Sequence, residues 1–311
     1  MEKIAVIGAG LIGRAWAMVF ARAGHPVALY DAAPGAVDQA IGLIRDGLVE
    51  TRHFGLIDET PDAIMPRIRA AESLEDALAD ADYVQENTSE REDVKRDVFS
   101  KMDAVAKSDC ILASSTSTIQ TSRFAGHVPG RHRCLVAHPV NPPHVVPIVE
   151  LSPAPFTSPD IVERTRVLHE RAGQVPILVR KEVEGFILNR LQAALLIESW
   201  RLVDEGYVSV EDLDKSIRDG LGLRWAFMGP FETIDLNAPG GVADYAVRYG
   251  PKLTGMMQDL TARPWEGDLV AKVEAERRER MPQADHAARE AWRDRRLMAL
   301  VAHKRAMDDQ D

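Results

Sequence analysis

The stretch KIAVIGAGLIGRAWAMVFARAGHPVALYD, residues 3–31, decides how the 311-residue chain is read. It opens with a short β-branched run that ends in glycine. A segment of helical apolar spacing follows and stops at Gly24. A second apolar run, PVALYD, ends at Asp31. Strand, glycine turn, helix and strand within about 30 residues make one βαβ unit.

The turn itself reads Gly8-Ala9-Gly10-Leu11-Ile12-Gly13, a G-x-G-x-x-G. Alone the pattern is weak, and a structural glycine turn would satisfy it. Here it follows a strand, opens a helix and is answered by an acidic strand end, Asp31, 23 residues beyond Gly8. That context describes a dinucleotide site. Gly8 makes the tight turn, Gly10 lets a pyrophosphate approach the backbone, and Gly13 lets helix pack on strand. The phosphates would rest on the helix start at Leu11 and Ile12, where free N–H groups and the helix dipole favour negative charge. Asp31 would accept from the adenosine ribose hydroxyls and repel a 2′-phosphate. The expected cofactor is therefore NAD and not NADP.

Alternation continues downstream. Val37–Glu50 and Val94–Ala106 read as helices, and ADYVQEN, CILASST, CLVAHPV and IVELSP as strands. This implies a parallel sheet with helices on both faces. From about Gly185 the pattern becomes helical. GFILNRLQAALLIESWRLVDEG is one apolar-periodic segment ending in glycine, and Ser209 with Asp212 three residues on has capping-box spacing. The tail reads as two amphipathic helices broken near Pro282. The expected fold is α/β: an N-terminal Rossmann-type doubly wound sheet over 1–185, then an all-α domain over 186–311.

Bulk properties narrow the function. A net charge of −10 argues against nucleic acid, which needs a basic face. The two cysteines, Cys110 and Cys134, form no CxxC or ligand cluster, so no metal site and no disulfide framework are expected. No apolar run reaches membrane-span length, and no leader precedes the first strand; the expectation is a cytoplasmic chain without a membrane partner.

Residues 135–153, LVAHPVNPPHVVPIVELSP, place His138 inside an apolar run and Glu150 twelve residues later. Removing a hydroxyl proton needs a base near neutrality, which histidine supplies, and a carboxylate on its other nitrogen would fix the tautomer. Taken alone, His138 reads equally as a satisfied core residue. The other eight histidines read as surface residues.

At this point GAGLIG, ILASSTSTI, HPVNPPHVVPIVEL, GFILNRL and GPFE together resemble the 3-hydroxyacyl-CoA dehydrogenase superfamily over nearly the whole chain. The resemblance implies an active site of Ser117, His138, Glu150 and Asn189, with His138 the acid/base, Glu150 its partner, and Ser117 and Asn189 on the substrate. It places the substrate in the cleft between domains. It also maps a nicotinamide-side pair onto Glu90 and Lys95.

The second half is similar to a narrower group, the L-gulonate 3-dehydrogenase and lambda-crystallin group. HPVNPP, ESWRLVDEG, VSVEDLD, DGLGLRWAFMGPFETIDLNAPGG and AWRD carry that likeness. It implies a small 3-hydroxy acid as substrate, L-gulonate foremost, and a homodimer through the helical domain. A free carboxylate needs a cation, and Arg224 in GLRWAFMGP is the candidate. CoA esters fit less well, since no lysine stands between Lys3 and Lys95. L-carnitine dehydrogenase, 3-hydroxyacyl-CoA dehydrogenase and a crystallin-like structural role are the competing readings. An intact Ser117, His138, Glu150 and Asn189 set argues against the last.

Overall fold

The computed structural model describes residues 1–258, 260, 262 and 264–308. The chain divides into two compact units. One comprises Met1–Asn189 and the chain from Arg289 onward; the other is Arg190–Ala288.

The first unit is built on one eight-stranded sheet: β1 Ile4–Ile7, β2 Val27–Tyr30, β3 Ile68–Ala70, β4 Tyr83–Glu86, β5 Ile111–Ser114, β6 Cys134–Pro139, β7 Ile148–Pro153 and β8 Val175–Leu178. Their order is β3-β2-β1-β4-β5-β6-β7-β8. Side chains alternate across a strand. Ile4 and Val6 therefore join one core with Trp16, Phe20, Ile44 and Leu48, while Ala5 and Ile7 join another with Phe99, Met102 and Phe124. Helices Leu11–Arg22, Ala36–His53 and Pro159–Arg171 supply the first layer, and Glu92–Val105 the second. The doubly wound reading holds.

The first helix is buried without a break from Ala15 to Ala21 because the second helix covers its outer side. Burial of a side chain the size of Phe20 contributes about 1.5–3 kcal/mol. Trp16 is fully buried, and its indole N–H donates to Ser115 Oγ at 3.0 Å.

Four features depart from the sequence reading. First, β6 and β7 are antiparallel within an otherwise parallel sheet. Their connection, residues 140–147, is too short for the crossover that a parallel pair requires. Second, β3 and β8 are edge strands with no period-2 apolar pattern to announce them; β8 is exposed at both ends. Third, the final helix, His286–Asp308, leaves the expected 186–311 domain and from Arg289 joins the first unit. Fourth, His25 and His169 are buried, not on the surface. Both cysteines are buried and unpaired, and burial pushes each thiol up to about 12.

Every regular element among the described residues of the second unit is a helix, as expected. Ser209 caps the helix Val210–Lys215 by accepting from the Asp212 N–H at 3.1 Å. No helix among the described residues is long and apolar enough to cross a membrane.

His169 yields a pH prediction. Its Nε2 lies 3.0 Å from the Tyr83 hydroxyl, which donates onward to Gln85 Oε1 at 2.6 Å. Nε2 therefore carries the proton, and Nδ1 has no partner among the described residues. Burial pushes this imidazole down to about 3. Between pH 6.5 and about 3 the unfolded chain binds a proton that the native chain refuses, so stability falls as pH falls through that window. His169→Gln should flatten the stability slope between pH 6 and pH 4 by about 1.4 kcal/mol per pH unit, read from denaturant midpoints. An unchanged slope would show that His169 protonates freely in the folded chain.

Candidate active site

The carboxyl ends of β1 and β4 diverge at the topological switch point of the sheet, where doubly wound folds bind ligands. A cavity of about 640 Å³ lies there, lined by Gly8, Gly10, Tyr30, Asp31, Asn87 and Thr88 among others. Three glycines shape it for different reasons. Gly8 has φ +94°, and a Cβ there would meet Asn87 O at 2.7 Å. A Cβ on Gly13 would meet Gly8 O at 1.8 Å, so this position is closed by the fold itself. A Cβ on Gly10 would meet nothing within 4 Å. The open space above Gly10 adjoins a helix start that has no side-chain cap and no acidic residue in its first turn. The donors of that turn are left for an anion. Asp31 closes the cleft floor: Oδ2 accepts from the Ala9 N–H at 2.7 Å and Oδ1 from the Ala33 N–H at 2.8 Å. These residues fit a dinucleotide: Leu11 and Ile12 would hold its phosphates and Asp31 its ribose.

Beyond β5 the antiparallel pair brings an imidazole and a carboxylate together. His138 on β6 stands directly opposite Glu150 on β7. Their side chains meet at 2.8 Å, Nδ1 to Oε2, and both are buried. The second carboxylate oxygen, Oε1, accepts from the N–H groups of Ile187 and Leu188 at 2.8 and 3.0 Å. Leu188 is the first residue of the long helix Leu188–Asp204, so Glu150 also serves as the acceptor for that helix start. With one N–H on Oε2 and two on Oε1 the carboxylate is fixed in orientation. An ionised Glu150 obliges Nδ1 to carry the proton, which leaves the lone pair on Nε2.

The hydrogen bonds continue outward. Asn189, one residue past Leu188, donates from Nδ2 to Ser117 O at 2.7 Å. The N–H of Ser117 donates to Glu90 Oε1 at 2.8 Å, and the same oxygen accepts from Thr116 Oγ1 and the Thr118 N–H. The Ser117 turn is thus held from both sides, and its hydroxyl has no partner among the described residues. Lys95 is buried. Its ammonium lies 3.1 Å from both oxygens of Glu86 and 3.8 Å from Glu90. The expected Glu90 and Lys95 pair is brought together, but the tighter partner is Glu86, at the end of β4.

Glu86 escaped sequence reading, although an acidic residue closing a strand, as Asp31 does, was the available signal. Phe186 escaped it as well. Its backbone is left-handed at φ +49°, next to Gly185 at +74°, and its ring packs 5.5 Å from that of His138. Nothing in a Gly-Phe pair announces that conformation. Arg224 belongs to the second unit, on the short helix Gly222–Trp225. It is exposed and has no ion-pair partner among the described residues. A π-helical turn, Ser216–Leu221, leads into it; such turns are frequent at functional sites. Among the described residues no cluster of His, Cys, Asp and Glu could hold a metal ion.

Two family profiles match in tandem. The family described as "3-hydroxyacyl-CoA dehydrogenase, NAD binding domain" matches residues 3–183, and "3-hydroxyacyl-CoA dehydrogenase, C-terminal domain" matches 185–281. The chain is 39% identical to lambda-crystallin of Oryctolagus cuniculus, covering 99% of this chain and 98% of that one. It is 34% identical to L-carnitine dehydrogenase of Pseudomonas putida, covering 97% and 93%. Its fold matches the crystal structure of 5-formyl-3-hydroxy-2-methylpyridine 4-carboxylic acid 5-dehydrogenase, an NAD+ dependent dismutase. The TM-score is 0.84 and the identity 29%, over 96% of this chain and 97% of that one.

The three glycines separate folding from binding. Gly10→Val should leave the melting temperature within about 2 °C, because its side chain enters open space, yet reduce NAD affinity by about 100-fold or more, the worth of about one or two hydrogen bonds to charged oxygens. Gly13→Val should fail to give a folded protein. Calorimetry and NADH fluorescence titration test both, and a Gly10→Val protein that binds NAD normally would remove the pyrophosphate from this turn.

Proposed function

The chain belongs to the 3-hydroxyacyl-CoA dehydrogenase family, and from that premise we propose that it oxidises the C3 hydroxyl of a small 3-hydroxy acid, L-gulonate foremost. It is an NAD-dependent oxidoreductase acting on a CH–OH group. The buried His138–Glu150 pair at 2.8 Å carries the acid/base part of this reading, and the likeness to lambda-crystallin supports its substrate class.

NAD, when bound, supplies the hydride acceptor. His138 Nε2 takes the proton of the substrate hydroxyl, and the imidazolium so formed is met by Glu150 Oε2. Glu150 does not turn away, because Ile187 and Leu188 hold its other oxygen. In reduction the proton travels back from Nε2. Ser117 Oγ and the free half of the Asn189 amide orient the reacting oxygen, the turn between them being fixed by Glu90. Lys95 keeps Glu86 and Glu90 in place from beneath and so supports the nicotinamide side. Arg224, exposed on the second unit, is the candidate for the substrate carboxylate, since a planar guanidinium suits a bidentate fork.

L-Carnitine is the second reading. The identity to L-carnitine dehydrogenase supports it, as do three exposed aromatics near Arg224, namely Trp225, Phe227 and Phe231, which suit a trimethylammonium group.

A homodimer through the second unit is part of the proposal. The helix Gly241–Met256 buries none of its residues within the chain, and Phe231, Leu236 and Val247 are each more than two-thirds exposed. Single monomers rarely leave so much apolar surface open. Light scattering should return twice the mass of one chain, and a monomer across the micromolar range would remove this part.

The reaction is tested by following NADH absorbance with L-gulonate, 3-hydroxybutyrate, L-carnitine and a 3-hydroxyacyl-CoA. The expected order places L-gulonate highest in kcat/KM. His138→Gln should bind NAD normally and lose about 10³-fold in kcat, the usual worth of a positioned acid/base. Arg224→Met should raise KM for free acids about tenfold or more, as befits a lost charged hydrogen bond, with NAD affinity unchanged. Preference for L-carnitine would select the second reading, preference for the CoA ester would return the chain to acyl chemistry, and full activity in His138→Gln would remove the acid/base assignment.

A further inference from the structure

The final helix does something that neither family profile covers. The matched residues end at 281, and the helix begins at His286. Its sequence contains AWRD, residues 291–294, a motif for which the active site has no use. From Arg289 this helix packs with the first unit.

What it packs on is specific. Met298, 1% exposed, forms one buried apolar cluster with Leu56 and Val145, flanked by Phe54, Leu297, Val301 and Ala302. Val145 belongs to the 140–147 loop, the one connection between the strand that carries His138 and the strand that carries Glu150. Arg305 donates to Leu56 O at 3.0 Å, fixing the second member of the cluster. Nearer the start of the helix, Arg295 lies 3.6 Å from Glu50, and Trp292 has the Arg289 guanidinium 3.4 Å from its ring centre. From the other side Arg22 Nη1 donates to His144 O at 2.7 Å. The loop is thus gripped at two adjacent residues: His144 by the first helix, and Val145 by the last.

The loop has little of its own to hold it. Three of its residues, Pro142, Pro143 and Pro147, have no N–H to donate. The amides of Val145 and Val146 both use Pro142 O, at 3.0 and 2.9 Å. Its position fixes where both strands of the hairpin end, and with it the meeting of His138 and Glu150.

We propose that the C-terminal helix is a brace for the catalytic hairpin, and that Met298 and Arg305 are positioning residues: they act on His138 and Glu150 through the loop and touch neither substrate nor cofactor. The inference deepens the dehydrogenase reading, and its kinetic arm rests on that reading; its exchange arm does not.

The test uses the full chain with Met298→Ala, Met298→Leu and Arg305→Met. Met298→Ala should lower kcat about tenfold, since displacements of about 1 Å at a reacting centre cost up to 100-fold. KM for NAD should stay within twofold, because the glycine turn makes no contact with this cluster. Met298→Leu conserves volume and should restore kcat to within twofold of the parent. Arg305→Met should lower kcat in the same direction without opening a cavity. In hydrogen exchange, Val145 and Val146 should lose about tenfold or more of their protection in Met298→Ala, while β1 and the first helix keep theirs. Unchanged kcat with unchanged exchange in the loop would overturn the brace. So would a loss of protection spread over the whole first unit, which marks general destabilisation. If the parent protein turns over none of the four substrates, the functional reading has failed, and localised exchange still decides the brace on its own.

Discussion

The site depends on a register. β6 and β7 run antiparallel, and directly opposite residues in such a pair project from the same face. His138 opposite Glu150 is therefore one consequence of how the hairpin is closed. A slip of a single residue would send one of the two to the far face of the sheet. Opposed side chains also meet across the parallel strands, as Ser114 and Glu86 do; what the antiparallel pair adds is a short loop, residues 140–147, directly joining the two partner strands. The reversal of direction at the seventh strand is what brings Glu150 back beside His138 after a short loop.

Charge burial then dictates the surroundings. A carboxylate removed from water must be paired and multiply hydrogen-bonded, and removing one partner of such a pair costs about 3–5 kcal/mol. Glu150 meets this with an imidazole and two backbone donors. Glu86 meets it with Lys95, the hydroxyl and N–H of Thr88, and Ser114 Oγ. Each partner set reaches into a different segment: the long helix start in one case, the turn after β4 and the end of β5 in the other. Two buried acids thereby tie the strand ends to the loops that must surround a ligand. Orientation at the site follows from satisfying them.

The first 31 residues made the fold legible because every local signal agreed: strand composition, glycine turn, helical period and acidic stop. The candidate site stood out at His138 and Glu150 as residue types, and at Ser117 and Asn189 only through resemblance to a family. What stayed hidden was long-range. β3 and β8 lie at sheet edges and lack an apolar pattern. His169 sits on a helix like any surface histidine, and only the distant Trp16, Phe20 and Tyr83 rings make it a core residue. The return of the last helix to the first unit depends on Met298 finding Val145 some 150 positions away, which no window of sequence reports. Phe186 is the sharpest case. Its backbone is one that side chains rarely adopt, and it is set by the demand that the next two N–H groups reach Glu150.

The two cysteines close on a different matter. Each is fully buried, and each thiol is pushed up to about 12, so neither carries an appreciable thiolate population at neutral pH. Peroxide and electrophiles act on thiolates. A chain that handles NAD thus carries no thiol through which oxidant stress could speak to it. Burial takes both thiols out of reach of the modifications that mark exposed, acidic cysteines.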